Sequence, residues 1–178
     1  VFTYFCRMKT TENQKLILGS GSPRRKEILS LAGFEFDVMV SDVEETYPDD
    51  LPLKDVPEFL AIKKAKAIQE QFKIQNRPII TADTIVLIDD EILGKPVDRE
   101  DAIRILQKLS GNTHEVLSGV CFLNNKISKC VTDVTKVTFK NIELEEIEYY
   151  VDQFKPYDKA GAYAIQEWIG VKKKKKIE

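Results

Sequence analysis

Residues Leu16–Ala32, LILGSGSPRRKEILSLA, place a short apolar run against a small-residue turn and a basic pair that opens a helix. The pattern predicts strand, loop and helix in succession. Ser22 suits the N-cap, Pro23 suits the first helical position because its missing N–H has no partner there in any case, and Gly33 is placed to end the helix. A helix start presents unpaired backbone N–H groups and the positive end of the macrodipole, and Arg24 and Arg25 add two full charges. That combination suits a polyphosphate. An ordinary capped surface helix with solvated arginines accounts for the same residues, so the rest of the chain has to decide.

Downstream, Pro78–Ile88, PIITADTIVLI, is an apolar β-rich run interrupted by Asp83. A carboxylate inside such a run must find partners or do chemistry, because burying it unpaired is costly. Asp89–Asp90 predicts a hairpin turn into Glu91–Leu93, and Gly94–Lys95–Pro96 follows as a tight turn presenting one lysine. Between the two apolar runs, Phe34–Val40 reads as a strand and Ser41–Asp55 as an acidic loop with Glu44 and Glu45 at its start. Those glutamates are solvated loop residues or metal ligands. Val56 to about Phe72 has helical spacing (Phe59, Leu60, Ala67, Ile68), with Lys63, Lys64 and Lys66 interspersed and nothing local to tell them apart.

In the C-terminal half, Asp98 caps a helix to about Leu109 that Gly111 closes. Thr113–Leu123 and Ile127–Phe139 read as long strands joined through Asn124–Asn125. His114, the chain's only histidine, has no nucleophile motif around it and reads as structural. Glu143–Phe154 is amphipathic, Asp158–Gln166 (DKAGAYAIQ) is a small-residue turn suited to close backbone approach, and Val171–Glu178 reads by itself as a disordered lysine-rich tail.

A chain of 178 residues is long enough for one domain with a real core. Its net charge is −2 even with Lys172–Lys176 included, which argues against a broad nucleic-acid face and makes Arg24/Arg25 a local basic feature. Cys6, Cys121 and Cys130 are odd in number and lack CxxC spacing, so reduced thiols are expected rather than a zinc site or a disulfide framework. No membrane-length apolar run or signal-peptide pattern is present, and a cytoplasmic protein is expected.

With SGSPRR, ADTIV, GKP, KLSGNTHEV, DVTKVTF and DKAGAYAIQ in this order, residues 15–170 resemble the Maf family of nucleoside triphosphate pyrophosphatases, in its dTTP/UTP branch. The resemblance implies an α/β fold related to the inosine triphosphate pyrophosphatases, a mixed sheet with flanking helices and two lobes around a central cleft. It implies hydrolysis of dTTP or UTP, with modified pyrimidine nucleotides as further candidates, to NMP and pyrophosphate, assisted by Mg²⁺ or Mn²⁺. By motif, Ser22, Arg24, Arg25, Lys64 and Lys95 would hold the phosphates, and Asp83 would accept the proton of the attacking water. Glu45 and Asp83 would hold the metal, and Arg24, Thr84 and Gln166 would select the base. The resemblance implies a nucleoside triphosphate as partner and a homodimer as the candidate assembly, with no nucleic-acid or membrane partner.

Two departures stand out. Ala164 replaces a glycine usual in that motif, and the family's C-terminal segment gives way to the lysine-rich 171–178, which reads as a shortened end. Residues 1–14 read as a partly disordered extension, the first seven lying upstream of a natural start at Met8. A different class of function is a nucleotide-binding regulator of septum formation and cell division that does not turn over.

Overall fold

Leu16, Ile17 and Leu18 are all buried and form β1 (Leu16–Leu18), the strand from which the first half of the chain is built. In a computed structural model that describes residues 15–125 and 128–177, β1 lies between two parallel neighbours. They are β2 (Phe36–Val38), with Leu16 opposite Phe36, and β3 (Ile79–Ile88), with Ile17 opposite Ile79. Parallel neighbours need crossover connections, here through α1 (Pro23–Leu31) and α2 (Val56–Gln71). Helices on both faces explain why β1 is an unbroken apolar run. Ile17 packs with Ala61, Ala65 and Ile68 of α2, whereas Leu16 and Leu18 pack with Ile80 and Leu29.

The remaining strands are β4 (Glu91–Leu93), β5 (Thr113–Leu123), β6 (Ser128–Phe139) and β7 (Lys174–Ile177). The seven-stranded sheet runs β2-β1-β3-β5-β6-β7, with β4 paired antiparallel to β3. Its parallel and antiparallel pairs make it the mixed sheet with flanking helices expected from the sequence. The β3–β4 turn uses Asp89 and Asp90, both at positive φ (49° and 58°), as a two-residue hairpin of this hand requires. The other helices are α3 (Arg99–Leu109), α4 (Leu144–Phe154) and α5 (Trp168–Lys173). Asp98 accepts from the Asp101 backbone N–H at 2.8 Å, confirming it as the N-cap of α3.

The chain forms two compact units. The first takes the described residues up to Tyr47 with Glu58–Ala82 and Val120–Val131, and the second takes Pro48–Pro57, Asp83–Gly119 and Thr132 onward. The first has its core around Ile17, Ile68 and Ile79, the second around Val86, Leu106, Phe139 and Tyr150. Within the second core, His114 is 1% exposed and stacks edge-on against Phe139 and Tyr163. Its Nε2 is 2.6 Å from the Tyr163 hydroxyl, and its Nδ1 has no hydrogen-bond partner among the described residues. Burial holds its pKa down at about 4. His114 is thus a core histidine, as its sequence context implied.

Several expectations change. The strand expected over Phe34–Val40 is confined to Phe36–Val38, with Glu35 and Met39 making single backbone bonds to β1 at its ends. The lysine-rich segment is not a disordered tail. Lys172 and Lys173 end α5, and Lys174–Ile177 pair antiparallel with β6, Val137 opposite Ile177. Backbone pairing on an edge strand leaves the ammonium groups in water, so a lysine run is compatible with a strand there. Ala164, the residue in place of the usual glycine, lies outside the left-handed region; Gly161 (φ 69°) and Ala162 (φ 58°) occupy it. The readings of residues 1–14 and of the strand start at Ile127 lie outside the described residues.

Two outcomes follow for stability. A methyl group at Gly19 would stand 2.4 Å from Ile68 Cδ1 and 2.5 Å from Thr81 Cγ2, so Gly19→Ala should lose about 1–3 kcal/mol in urea unfolding. His114 is neutral when folded but protonates near its ordinary value when unfolded. Its contribution is therefore intact above about pH 6.5 and is lost as pH falls toward 4, by about 3 kcal/mol. Urea unfolding at pH 7 and pH 4 should show that loss, and a folded His114→Gln variant should show correspondingly less acid sensitivity.

Candidate active site

In the first unit the SGSPRR loop is tied down by its own residues. Ser22 occupies the N-cap of α1 with extended dihedrals and Pro23 follows in the first turn, but the Ser22 hydroxyl makes no cap bond. Its backbone N–H donates instead to Ser20 Oγ at 3.2 Å. Ser20 is 6% exposed, and its Oγ also accepts from Arg25 Nη1 at 3.2 Å. The same Nη1 donates to the Ala82 carbonyl at 2.7 Å, a charge-assisted bond from α1 to β3 at the residue before Asp83. Sequence reasoning treated Arg24 and Arg25 as a pair. The structure separates them: Arg25 is half-buried as the anchor of the loop, and Arg24, about 100° away around the helix, is exposed.

The lysines of α2 are separated in the same way. Lys64, with its side chain 16% exposed, pairs with Glu45 at 2.9 Å. Lys63 donates to the Thr46 carbonyl and hydroxyl at 2.9 and 2.8 Å, and Lys66 is exposed. Two consecutive lysines thus hold Glu45 and Thr46 against one helix, and Lys64 is the one with a carboxylate partner. Exposed or partly exposed ion pairs of this kind contribute little stability, so the pairing matters mainly for placing the two side chains.

In the second unit Asp83 is 7% exposed on β3, so the carboxylate is buried as the sequence implied. Strand alternation puts Asp83 and Ile85 on one face and Thr84 and Val86 on the other. Thr84 is held by Ser118 of β5, hydroxyl to hydroxyl at 3.2 Å. The other two motifs meet this strand. Gly161 N–H donates to the Gly94 carbonyl at 3.0 Å, joining the GKP turn to the AGAY segment. Gly161 also lies so close to Val86 that an added Cβ would be 2.7 Å from Val86 Cγ2, and its φ of 69° suits glycine on separate grounds. ADTIV, GKP and DKAGAYAIQ are therefore packed together, with Lys95 and Gln166 exposed at their edges.

Glu167, the residue after Gln166, belongs to a network that sequence reasoning missed. Lys159, its side chain 11% exposed, pairs with Asp158 at 2.7 Å and Glu167 at 3.3 Å, and the Tyr150 hydroxyl donates to Glu167. Burial and the Glu167 carboxylate both push the Tyr150 hydroxyl well above its ordinary range, keeping it a donor. Ser20 and Ser118 were likewise unrecognised. Ser20 had a signal in the alternating Gly-Ser-Gly-Ser of the loop, whereas pairing Ser118 with Thr84 requires the β3–β5 neighbourhood.

Within the first unit, the arrangement offers an anchored helix start and a positioned lysine, which can bind anions. Within the second, it offers a buried carboxylate and a braced turn carrying Lys95. Among the described residues no group of three or more His, Cys, Asp or Glu side chains forms a ready metal cage.

Comparison with known proteins matches this set of motifs. The Maf-like protein family model matches residues 15–178. A dTTP/UTP pyrophosphatase of Flavobacterium psychrophilum is 45% identical over 163 residues, covering 92% of this chain and 83% of its own. Proteins of the same name from Phocaeicola vulgatus and Porphyromonas gingivalis are 46% and 48% identical, covering 92% and 88% of this chain and 84% and 79% of theirs. Among solved structures, the Ham1 protein of Staphylococcus aureus superposes with a TM-score of 0.52 at 15% identity, covering 71% of this chain and 72% of that one. That likeness concerns the fold alone and agrees with the inosine triphosphate pyrophosphatase-like architecture expected. Matched along its described length by the family model and by relatives of nearly half-identical sequence, the chain belongs to the Maf-like protein family.

Proposed function

We propose that the chain is a nucleoside triphosphate pyrophosphatase that hydrolyses dTTP or UTP to the monophosphate and pyrophosphate. The substrate class is taken from the name its relatives carry. On the side of geometry one observation supports the reading: Arg25 joins the start of α1 to the Ala82 carbonyl, so the anion-binding loop of the first unit is fixed in shape.

In this reading Asp83 accepts the proton of the attacking water. Its place on a strand and its burial suit the role, since a proton acceptor must be held in a fixed position within reach of the water it deprotonates. The α1 N-terminus around Ser22, with exposed Arg24, binds the phosphate chain; Arg25 contributes its charge and holds the loop in shape. Lys64 and Lys95 offset further phosphate charge. Thr84, braced by Ser118, and Gln166, seated beside the anchored Glu167, contribute to base selection together with Arg24.

The donor chemistry fits a hard divalent cation. Glu45 and Asp83 supply carboxylate oxygens, and Mg²⁺ or Mn²⁺ ordinarily takes one or two such groups and fills its remaining positions with water and substrate phosphate. When bound it would neutralise polyphosphate charge and favour ionisation of the attacking water. The proposal extends to modified pyrimidine nucleotides as further substrates, a cytoplasmic setting and a homodimer. No helix among the described residues is long and apolar enough to cross a membrane.

The test is pyrophosphate release by the purified chain with Mg²⁺ or Mn²⁺ across a panel of canonical and modified nucleoside triphosphates. The expected outcome is metal-dependent release of pyrophosphate, greatest with dTTP or UTP, and a fall in kcat of ~10²–10⁴-fold in Asp83→Asn, the usual contribution of a proton-transfer group. Orthophosphate release would contradict the assigned bond. Nucleotide binding without turnover would favour the non-catalytic regulator.

A further inference from the structure

Cys121 of β5 and Cys130 of β6 are both free thiols, and their sulfur atoms are 2.7 Å apart. The contact follows from strand register. Phe139 N–H donates to the Asn112 carbonyl at 3.0 Å, marking a hydrogen-bonded pair at one end of the β5–β6 ladder. The next pair, Thr113 and Thr138, is non-hydrogen-bonded, and its hydroxyls meet at 2.8 Å. Cys121 and Cys130 lie the same even number of residues further along each strand, so they fall on the same face and in the same class of pair. Such pairs bring Cα atoms to about 4.5 Å, within the range of about 4.4–6.8 Å that a disulfide spans.

We propose that Cys121 and Cys130 form a peroxide-sensitive thiol pair that closes to an intrachain disulfide within the folded protein. The two cysteines have different surroundings. Cys121 is 1% exposed and packs with Ile17, Ala61, Ala65 and Ile68, whereas Cys130 is only partly buried at the margin of that cluster. Burial pushes the Cys121 thiol up to about 12, which leaves almost no thiolate there at neutral pH. Cys130 is therefore the sulfur that meets the oxidant.

Its thiolate attacks one peroxide oxygen; the S–O bond forms as the O–O bond breaks, and hydroxide leaves and takes a proton as water. The Cys121 sulfur then attacks the resulting sulfenic acid at sulfur, the S–S bond forms as the S–O bond breaks, and the Cys121 proton leaves with the hydroxyl as a second water. Overall, two thiols and hydrogen peroxide give one disulfide and two waters. The bond would clamp the β5–β6 ladder beneath α2, the helix that carries Lys64. The inference does not depend on the proposed activity.

The test treats the full chain with hydrogen peroxide under native conditions, blocks remaining thiols by alkylation and digests with trypsin without reduction. The expected product is tryptic peptide 109–126 linked to peptide 130–136, in a monomeric chain lighter by two hydrogens. Because the link closes a short loop, the oxidised chain should melt roughly 5 °C higher, and dithiothreitol should reverse both changes. Cys130→Ser should abolish the link and Cys6→Ser should leave it. Linkage through Cys6, linkage between chains, a link formed only in denaturant, or Cys130 carried on to the sulfinic acid with Cys121 still free would each overturn the proposal.

Discussion

One hydrogen-bonded guanidinium organises the first unit. Arg25 Nη1 donates both to the Ala82 carbonyl, at 2.7 Å, and to Ser20 Oγ, at 3.2 Å, and Ser20 in turn accepts the Ser22 backbone N–H. Three short contacts thus fix the path of the loop between β1 and α1. They also set where α1 starts, and hence where its backbone N–H groups point. None of the residues of that helix is fully buried, and Leu29 packs only partly buried against Leu16, Leu18 and Ile80. The usual stabilisation of a surface helix by an apolar face is weak here, so the polar anchor at its start carries more of the load.

Close glycine contacts complete the arrangement in each unit. Gly19 lets the loop leave β1 against Ile68 and Thr81, and Thr81 in turn donates to the Ala61 carbonyl of α2 at 2.6 Å. Gly161 lets the AGAY segment settle on Val86 while its N–H reaches Gly94. In both places a side chain would enter space already filled by a neighbour, and the packed interior has little room to yield. Motifs far apart in sequence are therefore brought together less by charge attraction than by the absence of a Cβ.

Most of the fold was legible in the sequence because its signals are local. β1 announces itself as a continuous apolar run and β3 as an apolar run interrupted by Asp83, α3 by its Asp98 cap and Gly111 stop, and the β3–β4 hairpin by paired aspartates. The lysine-rich end was misread because charge composition describes side chains, while β7 depends on the backbone of β6 being available. At the site, residue types and spacing were sufficient to nominate Asp83, Arg24 and Arg25. They could not divide the arginines into an anchored one and an exposed one, or single out Lys64 from Lys63, because those distinctions depend on Ala82, Glu45 and Thr46 as partners. The Lys159–Glu167–Tyr150 network was invisible for the same reason: it joins α4 to the turn before α5 across a stretch with no periodic pattern.

In the proposed function Arg25 acts through Ser20 and Ala82 to hold the proposed phosphate-binding loop in shape. The most direct test is a double-mutant cycle in kcat/KM for UTP or dTTP with Ser20→Ala, Arg25→Lys and the double variant. Lysine keeps the charge but cannot reproduce the guanidinium fork. Each single change should cost about 10–100-fold, the worth of a hydrogen bond to a charged group, and the double variant should be little worse than Arg25→Lys alone. Strictly additive losses, or wild-type kcat/KM in Arg25→Lys, would contradict it.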